Sequence, residues 1–353
     1  MHDKKDIVFI LNPHSGTSEK KEMPDLIDRT IDKERFRHAV VVTEYPGHAS
    51  DMARQCAEHD IDIVVAVGGD GTVNEVARSI VHSHTALGII PCGSGNGLAR
   101  HLCIPMDPRK AMDLINTCKI EALDYGVINS LPFFCTCGMG FDAFISQKFA
   151  EAGKRGPMTY LENILREGVR YQPETYEVED ETGAKKFKAF LITCANASQY
   201  GNNAYIAPHA TMTDGLMDVT IMEPFTPFDA PKLSIDIMNK TLDKNSKIKT
   251  FKTNRIRIHR HAPGPIHYDG DPTTTGTEID VHIEKHGINI ITNPNGIEDE
   301  SQPSPIIAAF SELLENLNTM RENLNTMRED MEESRKKFQA KNWEFLKKLF
   351  DKN

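Results

Sequence analysis

An almost wholly apolar run, Ile61-Asp62-Ile63-Val64-Val65-Ala66-Val67, passes without a spacer into Gly68-Gly69-Asp70-Gly71-Thr72. A β-branched run bounded by glycine predicts a strand buried on both faces, which is the habit of parallel sheets covered by helices. The glycines let the backbone of the turn approach a ligand closely, and the helix behind it adds the positive end of its dipole. Backbone N–H groups at such a turn suit a phosphate, so the stretch predicts nucleotide chemistry. The helix is expected to open Thr72-Val73-Asn74-Glu75-Val76, with the Thr72 hydroxyl as its cap.

Three further runs, at residues 7–11, 39–43 and 87–90, alternate with helical stretches over residues 1–124. That alternation predicts βα units on a parallel sheet, a Rossmann-like nucleotide-binding domain. Each run leads into polar or glycine-rich residues: Asn12-Pro13-His14-Ser15-Gly16, Thr43-Glu44-Tyr45-Pro46-Gly47 and Pro91-Cys92-Gly93-Ser94-Gly95-Asn96-Gly97. In open α/β sheets ligands bind beyond the carboxyl ends of the strands, where these loops and the first should meet. The Walker spacing Gly-x-x-x-x-Gly-Lys-Ser/Thr is absent, and no Gly-x-Gly-x-x-Gly stands between the first strand and its helix. Both observations speak against a P-loop enzyme and a dinucleotide dehydrogenase.

From residue 125 to 286 strand candidates crowd together, at 133–137, 176–178, 187–195, 217–222, 255–259 and 279–283, with a helix expected near 227–242. The spacing predicts an all-β, mostly antiparallel domain of sandwich type. Residues 287–298 contain Ile288-Asn289-Ile290-Ile291, a strand able to complete the first domain. A polar, proline-bearing linker follows at 299–305, and after it Glu315-Asn316-Leu317-Asn318-Thr319-Met320-Arg321 recurs unchanged at 322–328. Phe310, Leu313, Leu317, Met320, Leu324, Met327 and Met331 keep the three- and four-residue spacing of a heptad seam, so residues 306–353 predict a coiled-coil tail and a homo-oligomer. Its end sets Lys341, Lys347 and Lys348 around Trp343, Phe345 and Phe350, a basic amphipathic composition suited to a peripheral membrane surface or to self-association.

A net charge of −10 argues against a nucleic-acid partner, whose phosphates call for a concentrated basic face. The seven cysteines are odd in number and scattered through apolar segments, which predicts buried free thiols in a reducing cytoplasm. Cys135-Thr136-Cys137 lacks the spacing of a zinc knuckle. The apolar stretch at residues 7–11 is too short for a signal sequence or a span, so a cytoplasmic protein visiting the inner membrane face peripherally is expected.

Two stretches of the β region remain, Pro208-His209-Ala210-Thr211-Met212-Thr213-Asp214-Gly215-Leu216-Met217-Asp218 and His267-Tyr268-Asp269-Gly270-Asp271, each in isolation a hairpin turn. Taken in order with Asn12-Pro13-x-Ser15-Gly16, Gly68 to Glu75 and Gly93-Ser94-Gly95-Asn96, they make residues 5–295 resemble the diacylglycerol kinase catalytic family. That family includes bacterial soluble diacylglycerol kinases and the related sphingosine and ceramide kinases. The resemblance implies an ATP- and Mg²⁺-dependent lipid kinase with its active site between a nucleotide domain and a lipid domain. Asn12, Ser15, Gly16, Thr43, Gly68, Gly69, Asp70, Gly71, Thr72, Asn74, Glu75 and Ser94 would then hold ATP. Asp271 would accept the proton of the lipid hydroxyl, with Asp70 as its rival for base or metal contact, and a metal would fall on Asp214 and the carbonyls of Thr211 and Leu216. Two residues depart from the bacterial pattern: Asp271 replaces a Glu, and Gly97 stands where an Asp is usual, as in the sphingosine and ceramide kinases. An NAD kinase-like enzyme and a non-catalytic lipid-binding scaffold are the other readings.

Overall fold

A computed structural model describes residues 4–15, 20–152, 171–226, 228–293 and 296, all within one compact unit that spans residues 1–304. Gly16 and the expected linker and tail lie outside the described residues.

The amino-terminal part alternates strand and helix: β1 (Lys5–Leu11), α1 (Met23–Thr30), β2 (Phe36–Val42), α2 (His48–Glu58), β3 (Ile63–Gly68), α3 (Asp70–Ile80), β4 (Ala86–Pro91), α4 (Gly97–His101) and α5 (Pro108–Thr117). β1, β2, β3 and β4 pair in parallel. Every residue of β3 and β4 is buried, as parallel core strands require. α3 turns Val73, Val76, Ala77 and Ile80 inward at the three- and four-residue spacing of one helix face.

The chain continues through β5 (Ile120–Ile128), β6 (Leu131–Phe133), β7 (Thr136–Gly140), α6 (Phe141–Ala152), β8 (Glu174–Asp180), β9 (Gly183–Ala189), β10 (Leu191–Ala195), β11 (Met217–Met222), α7 (Ala230–Met238), β12 (Ile248–Thr253), β13 (Arg255–Arg260), β14 (Gly264–Tyr268), β15 (Asp271–Thr275) and β16 (Glu278–Ile291). One sheet has ten strands, in the order β2-β1-β3-β4-β16-β13-β8-β9, with β5 also paired to β16 and β6 paired to β5; the other has six, β12-β11-β10-β7-β14-β15. All pairings in the second sheet are antiparallel. The antiparallel part of the first sheet and the inner face of the second enclose a sandwich core that includes Ile128, Phe133, Met139, Tyr176, Ile192, Val219, Ile258 and Val281. A separate apolar cluster contains Phe141 and Ile145 of α6, Leu233 of α7, Phe190 and Leu242.

The fold class is as expected, an α/β part followed by an antiparallel β-sandwich, but four local readings change. The run at 187–195 breaks at Phe190 into β9 and β10, which belong to different sheets, because Phe190 turns into the aromatic cluster against Phe141 and Phe225. The run at 133–137 breaks at Phe134 and Cys135, whose amides bond a carboxylate instead of a neighbouring strand. Residues 279–283 and 288–291 form one strand, β16, whose bulge lies between Glu284 and Ile288. The helix near 227–242 is only α7, followed by a left-handed Lys240 that no helix tolerates. All seven cysteines are free thiols, with Cys135, Cys137 and Cys194 buried and the other four half-buried.

Candidate active site

The four loops at the carboxyl ends of β1 to β4 are tied together by a few polar bonds. Asp70 sits half-buried at the start of α3. Its Oδ2 accepts from the Asn96 amide at 2.9 Å and its Oδ1 from the Gly97 amide at 2.7 Å. Burial pushes this carboxyl above its usual range, and the two amides and the nearby Arg100 charge pull it back only in part. Both oxygens are thus spent on clasping the Gly93 to Gly97 loop to the Gly68 to Thr72 turn. The clasp needs bare backbone, since a Cβ on Gly93 would stand 2.6 Å from Gly69 Cα and one on Gly95 would stand 2.7 Å from Asp70 Oδ2.

α3 begins at Asp70 with Gly69 as its N-cap and no side-chain cap, so Thr72 is not the capping residue. The extended Gly69 lets the helix start directly behind β3, which places Thr72 inside the first turn, where its Oγ1 accepts from Asn12 Nδ2 at 3.0 Å. Ser15 donates to the Asn12 carbonyl at 3.1 Å, and the Thr43 amide bonds the Leu11 carbonyl at 2.9 Å. Glu75 accepts from the Gly47 amide at 3.3 Å, joining the β2 loop to α3. Gly71 and Ser94 remain exposed, and the place of a Gly71 Cβ is open. The resulting surface, an open glycine-lined cradle at the positive end of α3, fits an anionic phosphate chain.

The opposite wall is the β14–β15 hairpin. Asp269 and Gly270 form its turn with φ of 53° and 85°, the primed geometry that matches strand twist. Asp269 is fully buried, its carboxylate accepting from the amides of Phe134, Cys135 and Thr136 at 2.9, 2.7 and 3.1 Å. Burial pushes it up, and Arg78 with those amides opposes the rise. Asp271 follows, half exposed at the head of β15.

Arg78, which sequence reading missed, joins the two walls. It lies on α3 two turns beyond Asp70, and its Nη1 donates to Asp271 Oδ2 at 2.8 Å. Its Nη2 donates to the Tyr268 carbonyl at 3.2 Å, its Nε to the Pro132 carbonyl at 3.2 Å, and its guanidinium stacks 4.4 Å from the Tyr268 ring centroid. Asn74, one turn earlier, reaches the Asp269 carbonyl at 3.5 Å. The Asn74/Arg78 spacing on an otherwise apolar helix face was the available signal. A second missed group is a buried cluster under α6, where Asp142 Oδ2 accepts from Thr193 Oγ1 at 2.9 Å and lies 3.0 Å from His267 Nε2.

The two parts also meet through glycine. A Cβ on Gly97 would lie 3.2 Å from the Tyr200 carbonyl oxygen, and one on Gly201 would lie 3.1 Å from Gly95 Cα. The Asn202 amide bonds the Gly95 carbonyl at 3.1 Å. The remaining predicted residues stand in the 208–218 loop: Asp214 Oδ1 accepts from the Leu216 amide at 3.0 Å, and the hydroxyls of Thr211 and Thr213 are 3.0 Å apart. No cluster of three or more His, Cys, Asp or Glu side chains suited to a metal occurs among the described residues.

Two glycine loops clasped by Asp70 thus stand across α3 from a hairpin that carries Asp269 and Asp271. In comparison with known proteins, residues 6–128 match the diacylglycerol kinase catalytic domain and residues 135–290 the YegS C-terminal NAD kinase beta sandwich-like domain. The chain belongs to the diacylglycerol kinase catalytic family. It is 28% identical over 274 residues to a Chromohalobacter salexigens protein named "Probable lipid kinase YegS-like", covering 76% of this chain and 87% of that one. A diacylglycerol kinase structure from Bacillus anthracis superposes with a TM-score of 0.66 at 19% identity, over 84% of this chain and all of that one. An NAD kinase from Archaeoglobus fulgidus in complex with ATP superposes with a TM-score of 0.50 at 12% identity, over 85% and 99% of the two chains.

Proposed function

We propose that this chain transfers the γ-phosphate of ATP to a hydroxyl group of a lipid, diacylglycerol or a sphingoid base, at a membrane surface. The observation that carries the reading is α3 itself, whose first turn bears the clasped glycine cradle and whose last turn holds Asp271 through Arg78. ATP with Mg²⁺, when bound, supplies the phosphoryl group and neutralises charge as it moves. Asn12, Ser15, Thr43, Gly68 to Thr72, Asn74, Glu75 and Ser94 would hold the nucleotide, with the exposed Gly71 turn facing the phosphates. Asp70 keeps that cradle in shape through its clasp and is not free to act as the base. Asp271 accepts the proton of the attacking hydroxyl, a task its half-exposed carboxylate can perform.

Labelled ATP and Mg²⁺ incubated with the protein and separate micelles of diacylglycerol, sphingosine and ceramide, alongside free NAD, test this reading. Label is expected in one of the lipids; label in NAD alone overturns it. Self-association and membrane contact through residues 306–353 are part of the same proposal, and deletion from Ser301 should lower oligomer size or liposome binding while sparing basal turnover.

A further inference from the structure

The family resemblance places a metal on Asp214 and the carbonyls of Thr211 and Leu216, yet the residues around that loop fit a different cation. Lys252 lies directly opposite Asp218 in the antiparallel register of β11 and β12. From there its Nζ donates to Asp214 Oδ2 at 2.9 Å and to the His209 carbonyl at 3.3 Å, and stands 3.2 Å from Asp218 Oδ2 as an ion pair outside hydrogen-bond geometry. We infer that the Lys252 ammonium takes the place of the divalent metal, so that the 208–218 loop is held by a cation built into the chain.

Two carboxylates and a backbone carbonyl are the oxygen types that a hard divalent ion collects, and an ammonium group offers three donors to the same set. The loop is fixed from behind as well, since Asp124 accepts from the Gly215 amide at 2.7 Å and from the His286 amide at 2.8 Å. On the same side, the Lys285 side chain lies where a Cβ on Gly215 would project. Mg²⁺ binds oxygen at about 2.1 Å, so an ion on Asp214 Oδ2 would stand within about 5 Å of the ammonium and be repelled by it. Lysine thereby makes the order of this loop independent of free divalent metal. The inference concerns the loop alone and does not depend on which substrate is phosphorylated.

Thermal unfolding of the nucleotide-free full chain, in EDTA and across a titration of Mg²⁺ alone, tests it, with isothermal calorimetry of the same titration. The wild type and Asp214→Asn are expected to show the same small Mg²⁺ response. Lys252→Met, which leaves the carboxylates uncompensated, should melt at least about 3 °C lower in EDTA and regain that loss with Mg²⁺. Stabilisation of the wild type by Mg²⁺ that Asp214→Asn abolishes overturns the inference. So does a Lys252→Met protein as stable as wild type in EDTA, or one that Mg²⁺ does not recover. Should Lys252→Met fail to fold, the wild-type and Asp214→Asn titrations decide the question alone.

Discussion

Arg78 shows how one side chain can set the geometry of a two-walled site. Its guanidinium is engaged on three nitrogens and stacked on Tyr268, so it has little freedom to serve as a mobile phosphate ligand. What it does is fix Asp271 relative to the cradle at the other end of α3. A positioning role predicts a particular pattern. Arg78→Met should lower kcat about a hundredfold while leaving the KM for ATP within about twofold, because misplacing a reacting group by an ångström costs on that order. Arg78→Lys should recover part of the loss. Adding Arg78→Met to Asp271→Asn should lower kcat no further than Asp271→Asn alone, since a partner that works through a carboxylate has nothing left to position. Steady-state kinetics on the wild type and the four variants checks this, and additive losses would assign Arg78 a different job. Arg78 was hard to read from sequence because its partner lies 193 residues away. The spacing of Asn74 and Arg78 marked a polar stripe but not what it touched.

At the scale of elements, the Asp70 clasp joins the turn after β3 to the loop after β4. The strands and the glycine turns were legible because a parallel core strand and a Gly-Gly-Asp-Gly turn are written in consecutive residues. The use of the carboxylate was not, since a turn Asp can cap a helix, bind a metal or clasp another loop with the same local sequence. The strand breaks at Phe134 and Phe190 were equally hidden, because each depends on a partner supplied by a distant segment. Burial raises the Asp70 carboxyl above its ordinary value of 3.8, so just above that pH the folded chain holds more protons than the unfolded one. Its contribution to stability is therefore fully present below the unfolded value and is lost as pH rises through the folded one. Asp70→Asn cannot titrate, and it also loses one of two acceptors, a cost of about 1–3 kcal/mol at any pH. Urea midpoints of the two proteins from pH 4 to 7 should thus converge as pH rises, with the wild type the more stable at the acid end. A gap that widens with pH would mean that the buried carboxylate is held ionised.

The whole described body is bound together by β16. Its first half pairs with β13 and β5 inside the sandwich, and its second half pairs with β4 in parallel, through Asn289 and Ile290, and with β5. A ten-stranded sheet therefore runs from the α/β part into the β-sandwich without a break. The main apolar core crosses the same junction, counting Phe134, Cys135, Ala197 and Met212 among residues of the α/β part. Multidomain chains commonly unfold in separate steps, because few contacts cross their linkers. Here the strand that would have to open first is shared, and freeing either part strips β16 of a partner and exposes apolar surface at the junction. Differential scanning calorimetry of the full chain is expected to show a single cooperative transition for residues 1–293, with Ile290→Ala lowering it as one unit. Hydrogen exchange should report the same coupling, with β4, β13 and the two halves of β16 protected to a common free energy of opening. Two transitions that respond separately to Ile290→Ala would show that the α/β part and the sandwich fold independently, and that the placement of Asp271 opposite the cradle is set by Arg78 and Asn74 alone.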